Sequence, residues 1–203
     1  MSRKNYDHTT KPQTPKTRNA KNHVFRVFRP VALDSAESLY ELTKKLQEDN
    51  ILPENSTLKD PSGMHVTYLE RNRLSRELQG FAQGFNAKEA ISRIDRHCTD
   101  TSSALISAQL GRVSLMDRRD EMLVVRLDHN QVVAEEYQLI TSALRTMRLN
   151  IRDDFRPHIS LARVPNQEFA DKIRIAREMQ QVLPNEVQLS PLVIEPSLRQ
   201  RGV

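Results

Sequence analysis

Two short stretches of the sequence each place a histidine two residues before a hydroxyl side chain. His65 precedes Thr67 within HVTYL, and His158 precedes Ser160 within HISLA. Both stretches are typical of β-strands, in which residues i and i+2 project from the same face. Each strand therefore presents an imidazole together with a hydroxyl, and these two pairs are the strongest candidates for chemistry in the chain.

Two imidazoles and two hydroxyls around one pocket suit an in-line displacement at phosphorus. One histidine can take a proton from the attacking oxygen while the other gives a proton to the leaving oxygen, and each transfer is typically worth roughly 10² to 10⁴ in rate. The hydroxyls of Thr67 and Ser160 can donate hydrogen bonds to the non-bridging oxygens, where negative charge builds up. The alternative is that both histidines are merely polar residues on half-buried strands.

The elements around the two motifs repeat along the chain. An apolar strand, a helix and a histidine-bearing strand follow one another at 24–28, 35–50 and 64–69, and again at 122–127, 131–148 and 158–162. The strand start and the histidine are 41 residues apart in the first half and 36 residues apart in the second. This similarity indicates duplication of a βαβ-containing unit, which would place its two motifs across a pseudo-twofold axis.

Apolar periodicity and turn residues predict the remaining elements. We expect helices at 87–97 and 167–180, a hairpin made of 104–110 and 113–116, and a last strand within 186–194. Asp34 or Ser35 is expected to cap the first helix, because short polar side chains satisfy the free amides of a first turn.

The first 22 residues differ in composition from the rest of the chain. They contain six of its 31 basic residues and one of its 26 acidic residues, so the net charge of +5 belongs to this segment. With almost no apolar side chains it cannot offset the entropy of ordering, and we expect residues 1–22 to form a disordered basic tail. Residues 23–203 are expected to form one domain with two pseudo-symmetric lobes.

Several classes of protein are excluded by composition. The 37% of hydrophobic residues and 28% of charged residues are ordinary for a globular protein, and no apolar run approaches the roughly 20 residues that span a bilayer. Neither a signal-peptide core nor a glycine-rich nucleotide loop is present, and the single cysteine, Cys98, cannot form an internal disulfide. We therefore expect a cytoplasmic monomer without a membrane partner.

The two motifs resemble those of a known family. HVTYL (65–69) and FRPHISLARV (155–164) are similar to the paired His-x-Thr/Ser motifs of the two-histidine (2H) phosphoesterase superfamily. The second stretch resembles most the RNA 2',3'-cyclic phosphodiesterase and 2'-5' RNA ligase-like branch. The resemblance covers residues 23 to about 195. It implies an α+β fold, a bilobal duplicated unit in which two antiparallel sheets form a central cleft with helices on the outside.

The resemblance also implies an activity that needs no metal or other cofactor. It is the hydrolysis of a 2',3'-cyclic phosphate, on RNA ends or nucleotides, to a 2'-phosphate. His158 would activate water and His65 would protonate the 3' oxygen, with the roles exchanged in the reverse direction, while Thr67 and Ser160 would bind the phosphate. Two alternatives stay open: the same site acting on 2'-5' oligonucleotides or cyclic nucleotide signals, and a non-catalytic RNA-binding module.

Three residues near the motifs, Arg156, Tyr68 and Phe155, are further candidates. Arg156 could reach an RNA or nucleotide substrate, whereas Arg163 has the opposite strand parity from His158 and is expected to point away. Tyr68 and Phe155 could stack on a base, which is worth about 1 to 3 kcal/mol, or could belong to the core.

Overall fold

A computed structural model describes residues 23–69, 87–98, 103–116, 121–127, 130–145, 155–165 and 167–198. Within these ranges the chain has an α+β fold with antiparallel sheets, which confirms the predicted fold class. The predicted tail at 1–22 lies outside the described residues. None of the helices in the described ranges is long and apolar enough to cross a membrane.

The described elements comprise nine strands and four α-helices. The strands are β1 (His23–Pro30), β2 (Thr57–Leu58), β3 (His65–Leu69), β4 (Ile106–Gln109), β5 (Val113–Met116), β6 (Glu121–Arg126), β7 (His158–Val164), β8 (Glu186–Leu189) and β9 (Val193–Leu198). The helices are α1 (Leu33–Glu48), α2 (Ala87–His97), α3 (Gln131–Arg145) and α4 (Phe169–Val182), and a 3₁₀ turn at Pro61–Gly63 precedes β3.

The main sheet places the two histidine strands side by side at its centre. Its order is β5-β6-β7-β3-β1-β9, with β2 pairing beside β7 as a seventh strand, and each of these pairs is antiparallel. In one half β1 leads through α1 to β3, and in the other β6 leads through α3 to β7. The two expected sheets are therefore joined through β3 and β7 into one, while β4 and β8 form a separate two-stranded sheet.

The helices have sequence features that set their ends. Helix α3 begins after Asn130, whose Oδ1 accepts a hydrogen bond from the amide of Val133 at 3.0 Å, as an N-cap side chain does. Helix α1 ends where Asn50 takes a left-handed conformation with φ 58°, which asparagine tolerates better than most residues. The predicted cap of α1 is wrong, because the helix begins after Ala32 without a side-chain cap and Asp34 falls in its first turn.

One predicted strand pairing and one predicted strand differ from the structure. The segments at 104–116 do not form a hairpin, because β4 pairs with β8 and β5 pairs with β6. Between them the amide of Leu110 bonds to Asn185 and that of Gly111 bonds to Arg126, so the chain passes from one sheet to the other. The single strand predicted within 186–194 is divided into β8 and β9, because Pro191 has no amide hydrogen to continue a ladder.

One face of the main sheet is covered by the apolar core. The alternate residues Val66 of β3 and Ile159 of β7 are fully buried on that face. The helices contribute buried side chains at helical spacing to the same core, namely Ala36, Leu39 and Leu46 from α1, Val133, Tyr137, Ile140 and Leu144 from α3, and Ile175 and Met179 from α4. His65 and Thr67 alternate with the buried residues and so occupy the other face.

A buried ion pair links the two halves beneath the site. Arg29 of β1 donates two hydrogen bonds to Glu136 of α3, at 2.6 and 2.7 Å, and the two side chains are 0% and 1% exposed. The remaining guanidinium nitrogen of Arg29, Nη1, donates hydrogen bonds to the carbonyl oxygens of Ala104 and Ser190 at 2.9 and 2.8 Å. Burial alone lowers the pKa of Arg29, but the hydrogen bonds and charge of Glu136 outweigh it and raise that pKa, so the guanidinium stays charged.

Candidate active site

The register of β3 and β7 brings the four motif residues together. Val66 and Ile159 are register partners, so the residues on either side of them are paired on the opposite face of the sheet. These pairs are His65 with Ser160 and Thr67 with His158. The two histidines are diagonal neighbours on adjacent strands, a relation that separates Cα atoms by about 7 to 8 Å. The sequence motifs therefore converge on one patch of the open face.

Both imidazoles are held in the same way by main-chain oxygens. Nδ1 of His65 lies 2.6 Å from the carbonyl oxygen of Gly63, and Nδ1 of His158 lies 2.9 Å from that of Arg156. In each case the acceptor is two residues before the histidine. A carbonyl oxygen can only accept, so Nδ1 carries the hydrogen and Nε2 carries the lone pair of the neutral ring. The reactive nitrogen of both histidines is therefore Nε2.

Arg26 distinguishes the environment of His65 from that of His158. One Nη of Arg26 donates a hydrogen bond to Nε2 of His65, and its guanidinium lies 4.6 Å from the ring centroid of Phe28. Phe28 in turn contacts the imidazole of His65 edge to face, with ring centroids 5.4 Å apart. Within the described residues, Nε2 of His158 has no hydrogen-bond partner.

These contacts keep His65 uncharged near neutral pH. Burial is the largest cause and the positive charge of Arg26 the second, and together they lower the pKa of His65 to about 4. The hydrogen bond to Gly63 raises this pKa but is outweighed, while Lys59 and His158 lower it further.

Further positive charge surrounds the motif residues on the same face. Arg126 is the register partner of His158 on β6. Lys59 lies against Gly63, where a Cβ atom would come within 3.0 Å of Cε and 3.2 Å of Nζ, so the absence of a side chain at Gly63 gives Lys59 its place near His65. A patch with this many cations favours an anionic ligand.

The two motif hydroxyls are available to such a ligand. Thr67 and Ser160 are half-buried, and among the described residues neither hydroxyl has a hydrogen-bond partner. Each lies opposite the histidine of the other strand, so an anion bound between the imidazoles would meet a hydroxyl donor from each side. This arrangement can stabilise negative charge while protons move at Nε2 of the two rings.

Two of the candidate substrate contacts belong to the core instead. Tyr68 is 4% exposed and lies on the buried face of β3, opposite in direction to His65. Phe155 stacks on Tyr137 with ring centroids 3.9 Å apart and on Tyr68 at 5.6 Å. Of the two alternatives for Tyr68 and Phe155, base stacking and core packing, these contacts favour core packing.

The two arginines beside the second motif are both exposed. The carbonyl oxygen of Arg156 accepts the hydrogen bond from His158, and the Arg156 side chain is open to solvent beside the site.

Arg163 of β7 is the register partner of Met122 on β6, which lies two residues from Val124, the partner of Ser160. A β-bulge in β7 inserts one residue between these two pairings and reverses the parity that follows it. Arg163 thus lies on the histidine face, contrary to the prediction from simple alternation.

Sequence reasoning did not find Arg26, Lys59 or Arg126. All three reach the site through long-range strand register or through a turn, and no local motif marks them. Within the described ranges, no cluster of three or more His, Cys, Asp or Glu side chains could hold a metal ion.

Comparisons with known proteins give structural likeness only. No protein-family model matches the chain, and no curated protein matches it significantly. Among solved structures, E. coli LigT in apo form has a TM-score of 0.48 and 13% identity, over 72% of this chain and 76% of that one. A protein described as a phosphoesterase has a TM-score of 0.49 and 14% identity, over 83% and 86%. The MHV ns2 PDE domain has a TM-score of 0.48 and 13% identity, over 85% and 97%. At these values the likeness carries no argument about activity, and the function of the chain has to be inferred from its own residues.

Proposed function

We propose that this protein is a metal-independent phosphodiesterase that hydrolyses 2',3'-cyclic phosphates, on RNA ends or nucleotides, to 2'-phosphates. The observation that carries the proposal is the convergence of His65 and His158 on one face of adjacent strands, each ring oriented through Nδ1 by a main-chain oxygen. Two imidazoles in such a relation can act on opposite sides of one phosphorus centre, which is what in-line displacement requires.

The proposed reaction moves one proton at each histidine. Nε2 of His158 has its lone pair available and takes a proton from the attacking water, whose oxygen forms a bond to phosphorus. The bond between phosphorus and the 3' oxygen breaks, and a protonated His65 donates its Nε2 proton to that oxygen. The products are a 2'-phosphate and a 3'-hydroxyl, and exchange with solvent returns both rings to their starting state.

The surrounding groups support an anionic transition state. Thr67 and Ser160 provide hydroxyl donors, and Arg26, Lys59 and Arg126 provide positive charge near or on the same face. Donors fixed before the reaction stabilise developing charge more effectively than reorienting water, because they need no rearrangement as the reaction proceeds. These groups therefore favour a substrate whose reacting centre is a phosphate rather than a neutral ester.

The direct test is an assay of purified protein on RNA ending in a 2',3'-cyclic phosphate, with EDTA present and the product identified as the 2'-phosphate. We expect His65→Ala and His158→Ala each to lower kcat by roughly 10² to 10⁴, and the double variant to lose little more than the worse single variant. His97→Ala is a matched control, because His97 also places Nδ1 on a main-chain oxygen, at 2.8 Å, but on the exposed side of helix α2. Undiminished activity in the double variant would refute the proposal.

The choice among phosphate substrates needs a panel. 2'-5' Oligonucleotides and cyclic nucleotides should be compared with cyclic phosphate ends under the same conditions, and the highest kcat/KM identifies the substrate class. A non-catalytic RNA-binding module would instead bind RNA with equal affinity in the double histidine variant and turn over none of these compounds. We further propose that the protein acts in the cytoplasm, in line with its single buried cysteine, Cys98.

A further inference from the structure

Nε2 of His65 is occupied by a side chain of the protein, although the proposed reaction needs this nitrogen. Nδ1 is bound to Gly63 and Nε2 receives an N–H of Arg26, so both ring nitrogens have partners. An imidazole in this state can neither receive a proton at Nε2 nor contact a substrate there. The corresponding nitrogen of His158 has no such partner among the described residues. The two histidines therefore share the same kind of main-chain hydrogen bond at Nδ1, and they differ in whether Nε2 is accessible.

The contacts that Arg26 makes at the site are with two uncharged rings. These are the neutral ring of His65 and the aromatic ring of Phe28, and neither of them carries a negative charge. A neutral nitrogen is a weaker acceptor for guanidinium than a phosphate oxygen, which forms a charge-assisted and often bidentate pair. An anion arriving between the histidines would thus compete successfully for Arg26.

We propose that Arg26 is a phosphate-binding residue of this site and that it covers Nε2 of His65 until an anion draws it away. This inference concerns the same site as the proposed function and rests on that function for its biological meaning. Phosphate binding then has two effects: it places the guanidinium on a non-bridging oxygen, and it exposes the nitrogen that must protonate the leaving oxygen. The proton donor becomes competent only when a substrate is present.

The electrostatics of His65 change in the direction that this role needs. The positive charges acting on His65 are those of Arg26 from β1 and Lys59 from the turn after β2, and both lower its pKa, as does the neighbouring ring of His158 from β7. Glu195 on β9 is the backbone register partner of Arg26. A bound phosphate adds negative charge beside the imidazole and takes up the charge of Arg26, so the pKa of His65 rises from its value of about 4. Phosphate binding therefore promotes protonation of the same ring that it uncovers.

The test follows the ring resonances of His65 by NMR between pH 3 and pH 8, roughly the range over which histidine pKa values fall in proteins, with and without inorganic phosphate. In mildly acidic solution phosphate is largely a monoanion, the charge of a cyclic phosphodiester. In the unsubstituted protein we expect the titration midpoint of His65 to rise by about one pH unit or more at saturating phosphate. If phosphate binds and the midpoint does not move, the proposal is overturned.

Arg26→Gln provides the second measurement. In this variant the titration midpoint of His65 should be higher than in the unsubstituted protein even without phosphate. Its phosphate affinity should be lower by about tenfold or more. Arg26→Lys keeps the positive charge but loses the planar guanidinium fork, so its phosphate affinity should lie between those of the unsubstituted protein and Arg26→Gln. Arg174→Gln, at an exposed position of α4, is the matched control and should behave as the unsubstituted protein. Phosphate affinity in Arg26→Gln equal to that of the control would also overturn the proposal.

These outcomes are separate from those of the activity assay. The titration and the binding curve need no turnover, so Arg26 can be shown to bind phosphate and uncover His65 in a protein that hydrolyses no cyclic phosphate. Conversely, activity that depends on both histidines, with an unchanged His65 midpoint, would support the proposed function and remove the role of Arg26.

Discussion

Removing the carboxylate of Glu136 should destabilise the fold strongly, because it leaves the guanidinium of Arg29 buried without a counter-charge. Two short hydrogen bonds, at 2.6 and 2.7 Å, join these side chains, and neither is more than 1% exposed. Arg29 is also the register partner of Val66, the residue between His65 and Thr67. The pair therefore supports the strand that carries half of the candidate site.

The size of the effect follows from the contacts. Breaking a buried ion pair by deleting one partner costs about 3 to 5 kcal/mol, and for a chain of this size each kcal/mol lowers Tm by about 2 to 4 °C. Glu136→Ala should thus lower Tm by roughly 6 to 20 °C. Replacing both residues with methionine removes both charges, and it leaves the carbonyls of Ala104 and Ser190 without this donor, at about 1 to 3 kcal/mol.

Urea denaturation followed by circular dichroism measures these differences. Glu135→Ala is the matched control, since Glu135 is the exposed neighbour on the same helix and its removal should change stability by less than about 0.5 kcal/mol. The reasoning fails if Glu136→Ala is no less stable than Glu135→Ala, or if the double methionine variant is less stable than Glu136→Ala.

Three further predictions concern the site and its surroundings. The pKa of His65 is about 4 in the folded protein, below its ordinary value near 6.5, so the unfolded chain binds more protons between these pH values. The protein should therefore lose stability as the pH falls from about 6.5 to about 4. His65→Asn should flatten the dependence of Tm on pH in this window, and an unchanged slope would contradict the assignment. Phe155→Leu should lose about 1 to 3 kcal/mol of stability through its stack on Tyr137 with KM unchanged, whereas a raised KM at full stability would restore its role as a substrate contact. Deleting residues 1–22 should weaken RNA binding at low salt and leave kcat on a mononucleotide substrate intact, and an equal loss of binding at high salt would exclude an electrostatic arm.

The histidine motifs and their strands could be predicted because the information is local. Alternation of apolar and polar residues in HVTYL and HISLARV gives the strands, and the repeated order of strand, helix and strand indicates that the two motifs meet. Helix α2 is predicted with the same ends that the structure shows, and α1 and α4 are each displaced by two residues. Such shifts are usual where helix ends depend on capping geometry rather than on periodicity.

The features that could not be predicted depend on register between distant strands. Arg26 and Arg126 reach the motif residues because β1 and β6 flank the histidine strands, and neither arginine stands in a recognisable pattern. The face on which Arg163 lies depends on a single inserted residue in β7, which no alternation pattern can reveal in advance. Tyr68 and Phe155 were ambiguous because aromatic residues serve both core packing and base stacking.

The main-chain anchors of the two imidazoles have a consequence for how this site can vary. Gly63 and Arg156 are unlike in every property of their side chains, yet each holds a histidine through the same peptide oxygen. Mutation can therefore alter the residue at either position without releasing the ring, provided that the backbone path is kept. The backbone thus determines the tautomer and the orientation of both imidazoles. Neighbouring side chains such as Arg26 can change and adapt Nε2 of His65 and Nε2 of His158 to different phosphates.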